Sequence, residues 1–244
     1  MNLLIALLFG HSLGDFYFQS NDMAEKKEKS LLSHISIYTV IQTIVLVIFI
    51  KSSYVVTFTV YIFLSHLIVD TCSIYISKKI TNKINSRKFI VFVTDQLLHI
   101  IVLFLIAYKL YCELGQGTET NQILLLTMVF SYLIMPSSIL VDKLVCIVNK
   151  TQSKNGFSLE DEGALIGILE RIMVFMLGIF GNISGIGFLV AAKTMVRYGQ
   201  FDNGKNDSSE KNFRSKYLIG TLSSILVGLF LFWVYSYLKG NLKT

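Results

Sequence analysis

The chain has 244 residues, of which 53% are hydrophobic and 16% are charged, and its mean hydropathy is +0.60. Soluble domains carry about 25% charged residues, so this composition excludes a water-soluble globular protein. The net charge of +6 is explained by the excess of Lys and Arg that membrane proteins place on their cytoplasmic side. We therefore expect contact with membrane lipid and no nucleic-acid partner.

Apolar segments close to the about 20 residues that cross a bilayer recur along the whole chain. They predict helices at 2–20, 33–50, 54–77, 89–112, 121–148, 161–180, 184–200 and 216–238. The first and seventh segments are short and could be re-entrant. The sequence therefore predicts an all-α, polytopic transmembrane bundle of about six to eight helices, forming a single membrane-embedded domain over 1–244.

The first segment could instead be a secretory signal peptide. Such a peptide needs a basic start and a cleavage site with small residues. No Lys or Arg precedes Lys26, and His11 and Asp15 interrupt the apolar run. We therefore expect a retained first helix.

The polar connections alternate in charge along the chain. Most of the Lys and Arg residues lie in the connections 21–30, 78–88, 149–156 and 200–216, whereas 51–53, 113–122 and 181–185 have few. The positive-inside rule places the basic set in the cytoplasm. The chain is then expected to be a multi-pass protein of the cytoplasmic membrane, with both termini outside.

Three pairs of His and Asp residues are the most informative feature of the sequence. They occur as "HSLGD", "HLIVD" and "DQLLH" in the first, third and fourth predicted helices, and use three of the four histidines in the chain. Residues at i and i+4 share one helical face, and charged side chains inside a membrane are costly unless they are paired, hydrated or functional. The residues of the three pairs are His11, Asp15, His66, Asp70, Asp95 and His99.

The three pairs are also expected at a similar depth. Measured from the predicted cytoplasmic ends of their helices, all six residues fall about 8–18 Å below the surface. The three helices can therefore present these side chains to one shared cavity. Because the topology was derived from loop charge alone, the shared depth is an independent indication of a common site.

Imidazole and carboxylate groups together suit a divalent transition metal such as zinc, manganese or iron. We therefore predict that the six residues are metal ligands. The three cysteines are scattered without the spacing of a metal site. A bound ion could activate a water molecule for hydrolysis.

Four further polar residues lie at a comparable predicted depth and are candidates for catalysis. Glu170 could be an additional ligand or a general base, while Arg171, Lys193 and Arg197 would suit an anionic or phosphorylated substrate. A salt bridge from Glu170 to Lys193 or Arg197 is an equally good explanation. Lys193 and Arg197 could also extend to the membrane interface, and His34, at the start of a helix, is interpreted as interfacial.

The sequence resembles a bacterial family of uncharacterised membrane proteins, domain of unknown function 3307. The resemblance lies in "HSLGDFYFQSNDMAEKK", "LLSH", "HLIVD" and "DQLLHI", and continues in "DEGALIGILERI" and "GIGFLVAAKTMVRY". It implies a membrane protein and supplies no reaction.

Three functions are consistent with these features. The first is a metal-dependent hydrolase acting from the cytoplasmic side on a phosphorylated or lipid-linked substrate. The second is a proton- or cation-coupled transporter, and the third is a membrane scaffold or sensor in which the pairs only join helices. The outer halves of the third and fourth predicted helices are nearly all apolar, which favours a one-sided site over a continuous pathway.

Overall fold

The computed structural model describes residues 2–49, 54–79, 85–114, 121–149, 162–201 and 208–240. These residues form helices joined by short turns, with no strand among them. A π-helical turn, Leu13–Tyr17, directly follows the first helix. The α-helices are α1 (Asn2–Ser12), α2 (Asn21–Glu25), α3 (Lys27–Phe49), α4 (Val55–Lys79), α5 (Asn85–Leu114), α6 (Gln122–Asn149), α7 (Glu162–Ile179), α8 (Ile183–Phe201) and α9 (Ser208–Gly240).

Five of the described helices are long and apolar enough to cross a membrane. These spans are Lys27–Ile48, Val55–Lys79, Asn85–Glu113, Gln122–Ile147 and Tyr217–Gly240. Together they confirm the predicted all-α bundle and its membrane character. α1 is too short to be counted among them, and α8 contributes only the shorter apolar stretch Ile183–Met195.

The helix boundaries differ from the sequence prediction mainly at polar segments. The predicted helix 33–50 begins six residues earlier, at Lys27, because the polar segment before it is itself helical. Within that segment, the Ser20 hydroxyl accepts a hydrogen bond from the Met23 amide at 3.3 Å and so caps α2. The predicted helix 2–20 is broken after Tyr17, and the one at 216–238 begins at Ser208. The predicted connection 149–156 lies almost entirely outside the described residues.

α1 lies at the centre of the bundle and separates two sets of helices. It packs against α3 and α5 on one side and against α6 on the other. Ile5 and Ala6 belong to an apolar cluster with residues of α6 and α9, whereas Leu7 belongs to a second cluster with residues of α3, α4 and α5. Burial of both faces of α1 fixes the position of the polar residues that follow it.

Candidate metal centre

The structure brings all three His and Asp pairs into one buried cluster, and the fourth histidine joins them. Its members come from the α1 end, α3, α4 and α5. Each has at most 9% of its surface exposed. The cluster consists of His11, Asp15, His34, His66, Asp70, Asp95 and His99.

Four atoms form the centre of this cluster. The Nε2 atoms of His34 and His66 lie 3.2 Å apart. The Oδ1 atom of Asp15 is 3.6 Å from each of these nitrogens. The Oδ2 atom of Asp70 is 3.6 Å from His34 Nε2 and 3.5 Å from His66 Nε2. The four atoms come from three helical segments: the π-turn supplies Asp15, α3 supplies His34, and α4 supplies both His66 and Asp70.

These separations match those between the ligands of a small metal ion. A tetrahedral ion bound at about 2.0–2.1 Å holds its ligand atoms about 3.3–3.4 Å apart. The five distances above span 3.2 to 3.6 Å. They are long for direct hydrogen bonds between the carboxylates and the imidazoles. Five of the six separations among these atoms are therefore compatible with ligation of one cation, and His34, His66 and Asp70 offer ligand atoms that all lie within 4.8 Å of one another.

Several buried polar atoms of the cluster have no hydrogen-bond partner among the described residues. They include Asp15 Oδ1 and Asp70 Oδ2 in the centre, and Asp95 Oδ1 and His99 Nε2 beside it. Such atoms are costly in a low-dielectric interior. A bound cation at the centre would supply the missing partner for Asp15 and Asp70.

Asp70 connects the centre to a second group of potential ligands. Its Oδ1 atom faces away from His34 and His66 and lies 3.6 Å from His99 Nε2. Asp70, Asp95 and His99 offer ligand atoms that all lie within 4.8 Å of one another. The Nδ1 atom of His99 is 2.9 Å from the Asp95 carbonyl oxygen. A proton on Nδ1 donates to this oxygen and leaves the Nε2 lone pair free.

Lys27, in the first turn of α3, enters the cluster from its edge. Its Nζ atom lies 2.8 Å from Asp70 Oδ1 and 3.6 Å from Asp95 Oδ2. When ionised, Asp15, Asp70 and Asp95 carry three negative charges, and Lys27 carries one positive charge. With neutral histidines the cluster has a net charge of −2, which one divalent cation would neutralise.

His11 lies outside the four central atoms and orients Asp15. Its Nδ1 atom is 3.7 Å from Asp15 Oδ2 and 3.3 Å from the Tyr38 hydroxyl. The Tyr38 ring stacks on the His66 imidazole with 3.7 Å between ring centroids. Gln42 donates a hydrogen bond to the same hydroxyl at 3.0 Å. These contacts fix the positions of the Asp15 carboxylate and the His66 imidazole.

The local backbone explains how Asp15 reaches the cluster. The Phe18 amide donates to the Leu13 carbonyl at 2.9 Å, a bond across five residues that defines the π-turn. Such turns often occur at functional sites, where they redirect a side chain. On the other side of the turn, the Tyr17 hydroxyl donates to the Ser131 carbonyl of α6 at 2.9 Å. The backbone around Asp15 is therefore held by the hydrogen bond of the π-turn and by the contact of Tyr17 with α6.

Two glycines let this segment approach α3 closely. A Cβ atom built on Gly14 would lie 2.5 Å from the Tyr38 ring, and one on Gly10 would lie 2.5 Å from the Gln42 side chain. A side chain at Gly14 would have to displace the Tyr38 ring, and one at Gly10 would have to displace the end of Gln42, which donates to the Leu7 carbonyl and the Tyr38 hydroxyl. The spacing of Gly10 and Gly14 is the small-residue pattern that allows two membrane helices to pack tightly.

A cavity adjoins the cluster between α3, α4 and α5. His66, His99 and Ser65 contribute polar atoms to its lining, and the remaining lining residues are Tyr38, Ile62, Val102 and Leu103. The cavity therefore meets one histidine of the centre and one of the second group. Its free space is about that of one water molecule, so it could hold a water next to the candidate metal position.

Sequence reasoning missed His34 and Lys27. His34 was interpreted as interfacial and Lys27 as part of a basic connection, but both contact the aspartates. A signal was present, because Lys27, His34, Tyr38 and Gln42 follow one another at intervals of seven, four and four residues. These intervals place all four on one face of a helix.

The other four candidates lie in a different part of the bundle. Glu170 forms an ion pair with Lys193, which is the salt bridge that the sequence left open. α7 packs against α6, α8 and α9, and α8 packs against α7, so these residues do not line the His and Asp cluster. The side chain of Arg197 lies outside the described residues. A catalytic role for these four residues remains a prediction from the sequence alone.

Arg171 is enclosed by oxygen atoms of neighbouring helices. It is 1% exposed, and its Nε atom donates to the Leu133 carbonyl at 2.8 Å. Its other nitrogens donate to the hydroxyls of Ser138 and Ser224. Pro136 interrupts the hydrogen bonding of α6 just after Leu133. Arg171 thus joins α7 to α6 and α9 beside this interruption.

Comparison with known families gives one match. The family described as "Protein of unknown function (DUF3307)" matches residues 3–126, which is just over half of the chain. The matched region contains every residue of the His and Asp cluster and Lys27, whereas Glu170, Arg171, Lys193 and Arg197 lie beyond it. No curated protein and no solved structure matches the chain.

Proposed function

Since the chain belongs to the DUF3307 family, whose description assigns no activity, we propose a function from the geometry of the cluster. We propose that the protein is a membrane-embedded metalloprotein that binds one divalent transition metal through His34, His66, Asp15 and Asp70. The observation that carries this proposal is the set of central distances, 3.2 to 3.6 Å between His34 Nε2, His66 Nε2 and the two carboxylate oxygens.

The ligand types favour zinc, manganese or iron. Imidazole nitrogens suit zinc and iron, and carboxylate oxygens suit manganese as well. The described part of the chain places no cysteine in the cluster, since Cys72 and Cys112 are exposed and Cys146 lies beside Asn85 at the start of α5, ten residues before Asp95. A ligand set without sulfur is typical of sites that retain a reactive position.

The reaction that we propose is hydrolysis of a phosphorylated or lipid-linked substrate. A divalent ion at this position would supply a Lewis acid and a water of lowered pKa. The cavity beside His66 and His99 has room for about one water molecule, and Lys27 brings a positive charge to the edge of the cluster. The His99 Nε2 lone pair, held free by the Nδ1 contact, is suited to accept a proton.

We assign the cluster to the cytoplasmic half of the membrane. Lys27 begins α3, Lys78 and Lys79 end α4, and Arg87 and Lys88 lie in the first turn of α5. All of these residues lie at the helix ends nearest the cluster, and Lys and Arg predominate on the cytoplasmic side of membrane proteins.

The transporter alternative receives less support. Beyond Gln42, the fully buried described residues between the cluster and the opposite helix ends are apolar, while the polar residues there bond to one another in pairs, Thr43 with Thr59 at 3.1 Å and Lys109 with Tyr61 at 3.0 Å. The apolar residues form a buried group that includes Leu46, Phe58, Ile106 and Leu110. A transported ion would have to cross this group, and no polar side chain there would replace its hydration shell. The scaffold alternative is weakened by the unpartnered atoms of Asp15 and Asp70, because a structural network would pair them.

Metal analysis of the purified protein tests the proposal. We expect about one zinc, manganese or iron ion per chain in detergent. His66→Ala should remove it, because this substitution deletes a central ligand. Cys72→Ser is the matched control, since Cys72 lies two residues from Asp70 on the exposed face of α4 and should leave the metal content unchanged.

Hydrolysis is tested on the same samples with a panel of phosphate mono- and diesters, including lipid-linked ones. Activity should disappear with a chelator, return with added metal, and be absent in His66→Ala. Absence of metal from the wild type, before and after supplementation, would refute the metal centre. Metal without any metal-dependent hydrolysis across the panel would refute the hydrolase assignment and leave the metal centre standing.

A further inference from the structure

The second group of potential ligands, Asp70, Asp95 and His99, has the composition of a metal subsite of its own. His99 Nε2 is 3.6 Å from Asp70 Oδ1, and Asp70, Asp95 and His99 offer ligand atoms within 4.8 Å of one another. His99 is 3% exposed and its Nε2 atom has no hydrogen-bond partner among the described residues. Asp70 would contribute Oδ2 to the centre and Oδ1 to this group, as a bridging carboxylate does in two-metal sites.

A cation already occupies this second group. The Lys27 ammonium lies 2.8 Å from Asp70 Oδ1 and 3.6 Å from Asp95 Oδ2. It contacts the two carboxylates that a second ion would need. The side chain is 26% exposed, so it reaches this position from the edge of the bundle and leaves no space there for a metal ion.

We propose that Lys27 is a built-in cation that fills a second metal subsite formed by Asp70, Asp95 and His99. It thereby restricts the protein to one divalent ion. This inference rests on the proposed metal centre and adds the number of ions and the residue that sets it. Without the Lys27 charge, the same groups form a two-metal site of the kind in which ions lie about 3.5–4 Å apart.

The summed charge of the buried cluster also favours one divalent ion over two. One divalent ion together with Lys27 neutralises the three carboxylates. A second divalent ion beside a charged Lys27 would give the buried cluster a net charge of +2, which is unfavourable at low dielectric. Removal of the Lys27 charge lowers this excess to +1, and one hydroxide bound between two ions would neutralise it.

The test is the metal stoichiometry of purified variants after incubation with Mn²⁺ or Zn²⁺ and removal of free metal. We expect one ion per chain in the wild type and two in Lys27→Met. Lys27→Arg is the matched control, because it keeps a cation in the subsite, and should bind one ion. Asp95→Asn in the Lys27→Met background should return the stoichiometry to one.

Electron paramagnetic resonance of the Mn²⁺-loaded samples gives a second readout. The wild type should show the spectrum of an isolated Mn²⁺ ion, and Lys27→Met should show exchange coupling between two ions. Two ions in the wild type would overturn the inference about Lys27, as would one ion in a folded Lys27→Met protein. No ion in any sample would refute the proposed metal centre itself. If Lys27→Met does not fold, Lys27→Gln, which removes the charge but keeps a polar side chain, is measured in its place, and one ion in that folded variant would overturn the inference.

Discussion

Asp70 is the residue on which the site depends most. One of its carboxylate oxygens faces His34 and His66, and the other faces Lys27 and His99. It is fully buried. The rings of His66 and His99 also bring the two groups together, with 4.4 Å between their centroids, but Asp70 is the residue that directs one carboxylate oxygen to each group.

The four histidines are predicted to differ in their effect on metal binding. His34 contributes Nε2 to the centre, whereas His11 contacts only the outer oxygen of Asp15 and the Tyr38 hydroxyl. We expect His34→Ala to abolish binding. Because residues that orient a ligand typically contribute about 10–100-fold in affinity, His11→Ala should weaken binding by that factor.

Competition of each variant against a chelator of known affinity measures this difference. The wild type and Cys72→Ser serve as references. Equal losses in His11→Ala and His34→Ala would contradict the distinction between a ligand and a residue that positions one. Stronger binding in His34→Ala than in His11→Ala would reverse the assignment.

Among the single residues of the cluster, six of the seven His and Asp residues could be predicted from the sequence. Each of the six occurs in an i, i+4 pair, and such pairs are visible without a structure. His34 has no acidic partner on its own helix, and its aspartates, Asp15 and Asp70, come from two other segments. Contacts between helices depend on packing, which the local sequence does not specify.

At the scale of single elements, the approach of α1 to α3 depends on Gly14. A Cβ atom at this position would lie 2.5 Å from Cδ2 of the Tyr38 ring, which packs on His66 and has no room to move. Gly14→Ala is expected to destabilise the protein by about 1–3 kcal/mol, as overpacking does. It should also weaken metal binding, because Asp15 is the next residue.

Thermal unfolding in detergent and metal content are the measurements for this prediction. Gly187→Ala in α8 is the matched control, since a Cβ atom there would meet nothing within 4 Å. This control should retain its metal and a wild-type unfolding temperature. A Gly14→Ala protein with the same unfolding temperature and metal content as Gly187→Ala would contradict the packing described for α1 and α3.

The sequence could predict that these segments are helices, but it predicted their first and last residues less well. Long apolar runs gave the five candidate spans, because length and hydropathy are read directly from composition. The helical turns before 33 were not predicted, since they are polar and resemble a connection. The π-turn at Leu13–Tyr17 also leaves no apolar signature, as it changes only the hydrogen-bond spacing.

At the scale of the whole molecule, the bundle contains two polar clusters of different character. The His and Asp cluster joins α1, α3, α4 and α5, and the group around Glu170, Arg171 and Lys193 joins α6, α7, α8 and α9. The first cluster has unpartnered ligand atoms, whereas the polar groups of the second are largely satisfied by one another. The second cluster therefore stabilises the bundle.

Lys193→Met tests the independence of the two clusters. It leaves the Glu170 carboxylate buried without its partner, which should cost about 1–3 kcal/mol of folding free energy. Metal content should stay at the wild-type value, because α7 and α8 do not pack against α3, α4 or α5. Lys193→Arg is the control that preserves the ion pair. Loss of metal from folded Lys193→Met protein would show that the clusters are coupled.

The sequence predicted a comparable depth for both clusters, and for that reason the residues of the second were candidates for the site formed by the three His and Asp pairs. Depth is one coordinate, however, and the position of each helix around the bundle is another. The position of a helix around the bundle depends on which of its apolar faces packs against which neighbour. Ile5 and Leu7, for example, pack against different sets of helices on opposite sides of α1. Because most of these helices are apolar on every side, the sequence does not reveal that position.

The central claim is that two histidines and two aspartates from three helical segments bind one divalent ion. X-ray absorption spectroscopy of the zinc-loaded protein tests this ligand set most directly. We predict a first shell of nitrogen and oxygen at about 2.0–2.1 Å, with the outer-shell scattering of two imidazoles and no sulfur. A sulfur shell at about 2.3 Å, or a shell without imidazole scattering, would contradict the account.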